Sequence, residues 1–403
     1  MAWDDLPEGW ELTSLADIAQ DVQTGFACSA RDEEGLPHLR PNNISRDGKL
    51  DLGLVKRVPF EAGDLSRYDL KPEDVLFNNT NSQELVGKTA IFDLEGTYSF
   101  SNHLTRIRVR PDLLIAEWLS FWFQHLWHIH HFERICNRWI GQAGINTKKL
   151  SDVEVPVPPL PEQRRIVARI EELTERIDAA RRLRAEAAEE AAAILPSALA
   201  EVFGEAEAEG WEVKPMGEVG YWTSGGTPSR SQREYFDGNI PWVKTGDLND
   251  DYLNQTKETI SEEGLNNSSA KLFPKGTILV AMYGATIGKI AILNLEAATN
   301  QACAALQVNP DLLTNKWAFC YILSIRNHLR ELGKGGAQPN ISQTVLKAQN
   351  IPLPPLDEQR CIVEYLDAVQ AKVEAIRRYQ EETREEIEAM TGAVLERAFG
   401  GEL

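Results

Sequence analysis

The sequence predicts an α+β protein: two similar mixed α/β globular domains joined by two long helices, an internal repeat. Three observations predict it. Segments recur at an offset near 196–201 residues, a proline-rich helix start closes each copy, and heptad spacing follows each start. A chain of 403 residues has room for two or three domains at about 100–200 residues each.

The clearest recurring segment is Pro158-Pro159-Leu160-Pro161-Glu162-Gln163-Arg164-Arg165-Ile166-Val167. It returns as Pro354-Pro355-Leu356-Asp357-Glu358-Gln359-Arg360-Cys361-Ile362-Val363, 196 residues on. Gly9-Trp10-Glu11 matches Gly210-Trp211-Glu212, and Leu85–Ile91 matches Thr286–Ile292. Pro111-Asp112-Leu113-Leu114 with Trp118 matches Pro310-Asp311-Leu312-Leu313 with Trp317. Small changes of offset mark loop insertions. The domains are expected at 1–156 and 206–352, with helical segments at 157–205 and 353–403.

Each globular part reads as short β-rich runs, such as Ala90-Ile91-Phe92 and Thr277-Ile278-Leu279-Val280, between Gly/Asn/Asp/Pro turns. A helical stretch follows, near Leu114 to Phe132 and Leu313 to Leu332. Proline is tolerated in a first helical turn, so Pro161-Glu162-Gln163 reads as a helix start. Steps of three and four then place Ile170, Leu173, Ile177, Ala180, Arg184, Ala187, Ala191 and Ile194 on one seam. In the second copy they place Leu366, Val369, Val373, Ile376, Gln380, Thr383, Ile387, Met390 and Val394 on another. Arg184 and Gln380 interrupt the two seams at the repeat offset; such residues fix register or are solvated defects. The helices are able to pair with each other, and an antiparallel pairing gives a pseudo-twofold axis.

The formal net charge is −19. Nearly half of that excess lies on the two helical segments, and the second globular domain is almost neutral. Such acidity taken alone argues against general nucleic-acid binding. It suits a solvated helix face or a docking surface for a basic partner. No apolar run approaches the roughly 18–20 residues of a membrane span, and the first residues lack a signal-peptide pattern. Five scattered cysteines without a CxxC fit a reduced, cytoplasmic protein.

Catalytic motifs are missing. Gly333-Lys334-Gly335-Gly336 has the wrong spacing for a P-loop, no GxGxxG follows a strand, and no amino-methyltransferase Asn-Pro-Pro segment occurs. Glu212-Val213-Lys214 is a lone nuclease-like ExK of the kind chance supplies. His125, His128, His130 and His131 have turn spacing. Their neighbours Trp118, Phe121, Trp122, Phe123, Trp127 and Trp139 look like an aromatic packing set, so structural histidines are expected rather than a metal site. What recurs is polar loop chemistry at Arg40–Arg46 and Asn78–Gln83, and at Trp242–Asp247 and Tyr283–Lys289. Asn, Gln, Arg and Lys pair with base edges, and Lys, Ser and Thr position phosphates. Ordinary turns use the same residues, but as a set present in both copies the loops suggest a binding surface.

Two repeats, each closing with Pro-Pro-Leu-x-Glu-Gln-x-x-Ile-Val and a long helix, resemble the specificity subunit of type I restriction–modification systems. So do the openings Gly-Trp-Glu with Ser224-Gly225-Gly226-Thr227-Pro228-Ser229 or the plainer Thr24-Gly25-Phe26. The resemblance spans essentially the whole chain. It implies two target-recognition domains, each reading half of a split, asymmetric site on double-stranded DNA. It also implies an antiparallel coiled coil that sets the unread spacer. Two modification subunits carrying S-adenosylmethionine dock on it, a motor-nuclease subunit joins for cleavage in some systems, and the chain itself holds no cofactor and is non-catalytic. At about 1.5 Å per residue, the seam from Ile170 to Ile194 spans on the order of 36 Å, close to one turn of B-DNA. Residues expected near DNA are Arg40, Asn43, Arg46, Asn79, Asn81, Ser82 and Lys88 in the first domain. In the second they are Arg230, Lys244, Thr245, Tyr283, Thr286 and Lys289. The competing reading is a coiled-coil scaffold whose domains bind protein or glycan; it leaves the duplicated Pro-Pro-Leu-x-Glu-Gln unexplained.

Overall fold

The computed structural model describes residues 6–62, 64–204, 209–334 and 339–403. Five helices organise it: α1 (Ala116–His128), α2 (Leu160–Gly204), α3 (Asn315–Ser324), α4 (Leu356–Glu382) and α5 (Arg384–Phe399). Two compact units form. One comprises Met1–Ala185 with Glu381–Leu403, the other Glu186–Gln380. Each unit therefore holds a mixed domain, the first part of one long helical segment and the last part of the other.

In the first unit a four-stranded antiparallel sheet runs in the order Ala19–Thr24, Leu104–Val109, Asp74–Asn78, Thr89–Phe92. A second sheet pairs Leu36–Leu39 antiparallel with Lys56–Val58 and parallel with Ser99–Phe100. The second unit repeats this plan. Gly220–Ser224, Cys303–Val308, Ile278–Ala281 and Ile290–Leu293 form the main sheet, extended by Tyr252–Leu253. Ile240–Val243 pairs antiparallel with Glu258–Ile260 and parallel with Ala297–Thr299. Strands that are apolar on both faces, such as Ile278–Ala281 and Ile290–Leu293, are buried throughout, as sheets covered on both sides require.

The repeated proline segment has one job in both units. The strand before it pairs with the first strand of its own domain, Leu12 opposite Pro156 and Val213 opposite Pro352. Gln163, fully buried, accepts from the Ile115 N–H at 3.0 Å and donates to the Leu113 and Pro158 carbonyls at 2.8 Å. Gln359 does the same with the Thr314 N–H (2.9 Å) and the Leu312 and Pro354 carbonyls (2.9 Å). The glutamine thus satisfies the open backbone groups where α1 and α3 begin. Trp118, expected in the aromatic packing set, and its repeat match Trp317 are completely buried and donate to the Pro156 and Pro352 carbonyls at 2.7 and 2.8 Å.

The ends of the helical segments close the domains. In the first unit the Phe399 ring lies 4.9 Å from both Trp118 and Trp122. In the second, Phe203 lies 4.8 Å from Trp317 and 5.5 Å from Tyr321. Within the first unit, α5 runs antiparallel to α2: Arg165 donates to the Leu403 carbonyl, Arg181 to the Thr391 hydroxyl, and Arg184 to the Thr383 hydroxyl. Arg184, the residue that interrupts the seam, is therefore a hydrogen-bonded register residue.

The seams hold at Ile170, Ile177, Leu366 and Val373, which are buried, with Leu173, Val369, Arg184 and Gln380 partly buried. They do not hold at Ala187, which is exposed, at Ile376 (38 % exposed), or toward the domain ends at Ile194 (43 %) and Met390 (44 %). At those ends the inward positions are Ala191, Ala198 and Leu199, and Thr391, Leu395, Ala398 and Phe399. A straight helix repeats every 3.6 residues and drifts against a 3.5 repeat. A domain core also takes a wider stripe than a coiled-coil seam.

Candidate nucleic-acid interface

Each unit presents a loop cluster on the same backbone frame. Leu36–Leu39 runs into the single 3-10 turn Pro41–Asn43, and Ile240–Val243 runs into Thr245–Asp247. The Arg40 N–H donates to Asn43 Oδ1 at 2.9 Å, and the Lys244 N–H donates to Asp247 Oδ2 at 2.9 Å. The next loop is tied in the same way: Ile145 N–H to the Asn79 carbonyl (2.8 Å), Ile341 N–H to the Met282 carbonyl (2.9 Å). Both copies then use a glycine with positive φ, Gly87 (95°) and Gly288 (77°), followed by Lys88 and Lys289. A side chain on Gly25 would collide with the Phe100 and Ser101 carbonyls, and one on Gly225 with Thr299. That close approach explains the glycine in both opening turns.

The side chains on this frame divide into those that build the loops and those that face out. In the first unit Asn43, Asn79 and Lys88 are buried. Asn43 donates to the Asp51 carbonyl at 2.8 Å. Asn79 donates to Thr105 Oγ1 at 2.9 Å and accepts from the Thr80 hydroxyl at 2.7 Å. The Lys88 ammonium donates to the Pro41 and Ile44 carbonyls, tying the two loops together. Burial, and then the nearby Arg46 charge, pushes its pKa down. These three residues hold the loop shape. Arg46 is exposed, and Arg40, Asn81 and Ser82 are partly exposed beside it. The Ser82 hydroxyl donates to the Glu84 carboxylate at 2.8 Å. The Glu84 carboxyl titrates below its ordinary range because its own amide and the Ser82 hydroxyl donate to it.

In the second unit Arg230 is exposed and donates to Glu258 at 2.9 Å, with its guanidinium 4.2 Å from the Phe236 ring centre. Lys244 donates to the same carboxylate. Lys244 first, and Arg230 with it, holds the Glu258 carboxyl below its ordinary range. Glu258 was not legible as part of this cluster. It reaches Lys244 only because its strand pairs Glu258 with Trp242. Tyr283 is exposed, Thr245 and Lys289 are partly exposed, and the Thr286 hydroxyl donates to the Tyr283 carbonyl at 2.7 Å.

Two similar frames with different outward residues are what a repeated recognition module requires. The model of the type I restriction modification DNA specificity domain matches residues 7–189 and again 208–385.

The chain belongs to that family. A solved chain from work on the complex assembly and conformational transition of the type I R-M system is 28 % identical, with a TM-score of 0.78 over 99 % of this chain and 100 % of that one. The HsdS subunit of Thermoanaerobacter tengcongensis is 26 % identical, with a TM-score of 0.64 over 100 % and 99 %. The type I restriction enzyme EcoR124I/EcoR124II specificity subunit of Escherichia coli is 32 % identical over 41 % of each chain.

The histidine group divides between core and surface. His125 is buried against Trp122 and Phe399. Burial lowers its pKa to about 4, helped by His128. His130 lies on the surface, 2.9 Å from Glu133. Among the described residues no group of three or more His, Cys, Asp or Glu could hold a metal ion, and no helix is long and apolar enough to cross a membrane. The thiols of Cys303 and Cys320 are buried in the core, and desolvation pushes both up to about 12. Trp139 is not part of the aromatic core: it is 60 % exposed at a hairpin tip.

Proposed function

We propose that each unit of this specificity subunit reads one half of a bipartite, asymmetric site on double-stranded DNA through its loop cluster. The observation that carries this reading is the common frame of the two clusters with unlike side chains on it. Arg40 stands where the second unit has Lys244, and Thr80 stands where it has Tyr283. Different donors and acceptors on one frame read different bases. The continuous 45-residue helix α2 supports its role, with α4 and α5, as the element that sets the unread spacer.

The chain's acidity supports a shared task. Phosphate neutralisation drives DNA affinity, and a chain at −19 supplies little of it. Two modification subunits complete the basic surface, bind S-adenosylmethionine and methylate adenine, while this chain performs no chemistry. A motor-nuclease subunit joins where the system also cleaves. No residue on the chain is assigned to the methyl donor.

The test is a methylome. The chain is co-expressed with its neighbouring modification subunit in a methylation-free host, and methyladenine is mapped by single-molecule sequencing. A split asymmetric motif with a fixed spacer is expected; a soluble complex that leaves the genome unmethylated contradicts the reading. Removing one heptad from both helical segments is expected to change the spacer or abolish methylation. An unchanged motif would remove the helices from that role.

A further inference from the structure

The first unit carries a short ribbon, Asn137–Trp139 paired with Gln142–Gly144, whose tip is apolar and open to solvent. Trp139 is 60 % exposed and Ile140 fully so. Gly141, at φ 77°, closes the turn. The ribbon's second strand pairs with Thr80–Asn81, so the tip belongs to the same edge as the amide-rich loop. A Cβ on Gly144 would stand 3.0 Å from the Trp139 ring and 3.1 Å from the Asn79 carbonyl, so glycine leaves the indole room to lie across the strand. Lys149 pins the base of the ribbon, donating to the Ile135 carbonyl at 2.7 Å and to Asn137 Oδ1 at 2.8 Å.

The stretch that carries the ribbon is locally basic, with Glu133 and Asp152 just outside it and Arg134 and Lys149 lining one cleft with Asp152 and Glu154. Residues 134–151 contain Arg134, Arg138, Lys148 and Lys149 and no carboxylate, in a chain whose net charge is −19. An exposed isoleucine contributes nothing to this fold's packing. A two-stranded ribbon is a width that the DNA major groove admits, and the thymine 5-methyl is the apolar feature displayed there. Flanking cations suit phosphates on either side.

We propose that the ribbon enters the DNA groove in the half-site read by the first unit, where Ile140 and Trp139 make apolar contact with base edges, the thymine methyl foremost. Arg134, Arg138 and Lys148 meet the flanking phosphates. This rests on the DNA-reading function proposed above and names residues that carry its specificity.

The experiment uses the full chain assembled with its modification subunit and a duplex bearing the motif that the wild-type methylome defines. A wild-type complex without any motif refutes the DNA-reading function itself, before the ribbon is tested. Ile140 packs against nothing, so Ile140→Ser is expected to keep the melting temperature and the assembly of the complex. It is expected to weaken binding to the cognate duplex about tenfold, within the range for a base-reading contact. Replacing the thymines of the first unit's half-site with uracil should weaken the wild type and leave Ile140→Ser unchanged. Trp139→Ala should follow Ile140→Ser. Arg138→Gln should weaken all duplexes alike and reduce the salt slope by about one. Wild-type binding and methylation by Ile140→Ser and Trp139→Ala would overturn the proposal. So would a half-site without thymine, an equal loss on every duplex, or a loss of assembly with the modification subunit.

Discussion

The two loop clusters differ most where they are built most alike. Both place a strand, a cation and a single 3-10 turn in the same order, closed by one backbone N–H to an acid or amide three residues on. In the first unit that residue is Asn43, whose amide also donates inward, and Lys88, the cation after Gly87 in the next loop, is buried as a brace. In the second unit Asp247 has no donor to offer, and Glu258 draws Lys244 and Arg230 together instead. The strand before the turn carries buried His38 in one unit and buried Trp242 in the other. A conserved frame therefore leaves its interior as free to change as its surface, provided each buried polar group keeps a partner.

That comparison is sharpened first at the helix ends. Phe399→Ala empties a buried aromatic site, which costs about 3–5 kcal/mol, and Phe203→Ala, at a half-buried ring against Trp317, costs less. Hydrogen exchange should show Phe399→Ala loosening strands of the first unit and Phe203→Ala those of the second. Equal loosening of both units by either change would break the division. Gln163→Ala and Gln359→Ala come next. Each leaves one fully buried carbonyl unpaired, that of Pro158 or Pro354, at about 1–3 kcal/mol, and denaturant midpoints should fall by similar amounts for the two.

Acid should separate the units. Burial lowers His38 to about 4, assisted by Lys56 and Arg40, and lowers His125 to about 4. Both belong to the first unit. Each imidazole stays neutral in the fold, while the unfolded chain takes up a proton near 6.5. Their contribution is therefore complete above pH 6.5 and is lost as pH falls toward 4. At pH 5 the loss is on the order of 2 kcal/mol for each. Exchange rates in the first unit should rise between pH 6.5 and 5 more than in the second; parallel behaviour would contradict these pKa directions. The smallest effect belongs to Glu258→Gln. Partly exposed ion pairs are worth about 0–1 kcal/mol, so stability should hardly move. Release of Lys244 and Arg230 should tighten non-specific DNA binding and steepen its salt dependence. Unchanged binding would remove both cations from the DNA surface.

Much of this was legible in the sequence, for physical reasons. The Pro-Pro-Leu-x-Glu-Gln segment stands out because one buried glutamine must satisfy the same backbone groups twice. Trp118 and Trp317 stand out because each donates to a carbonyl of that segment's strand. The loops were legible as a set and not residue by residue. An asparagine that braces a turn, such as Asn43, has the same composition and spacing as one that faces a partner. Lys88 reads as a surface cation until its neighbours are folded around it. Trp139 looks like one more aromatic in a rich stretch, and only the pairing of its ribbon turns it outward. The outer ends of the helical segments were misjudged at Ile194 and Met390 because a heptad template continues where the helices leave a narrow seam for a domain core.

The most direct measurement is the methylome of a chimera in which residues 7–156 are replaced by a copy of residues 208–352. If each unit reads its own half-site through its own loops, the motif becomes an inverted repeat of the second unit's half. If the wild-type asymmetric motif persists, or another asymmetric motif replaces it, recognition does not reside in the two units as described.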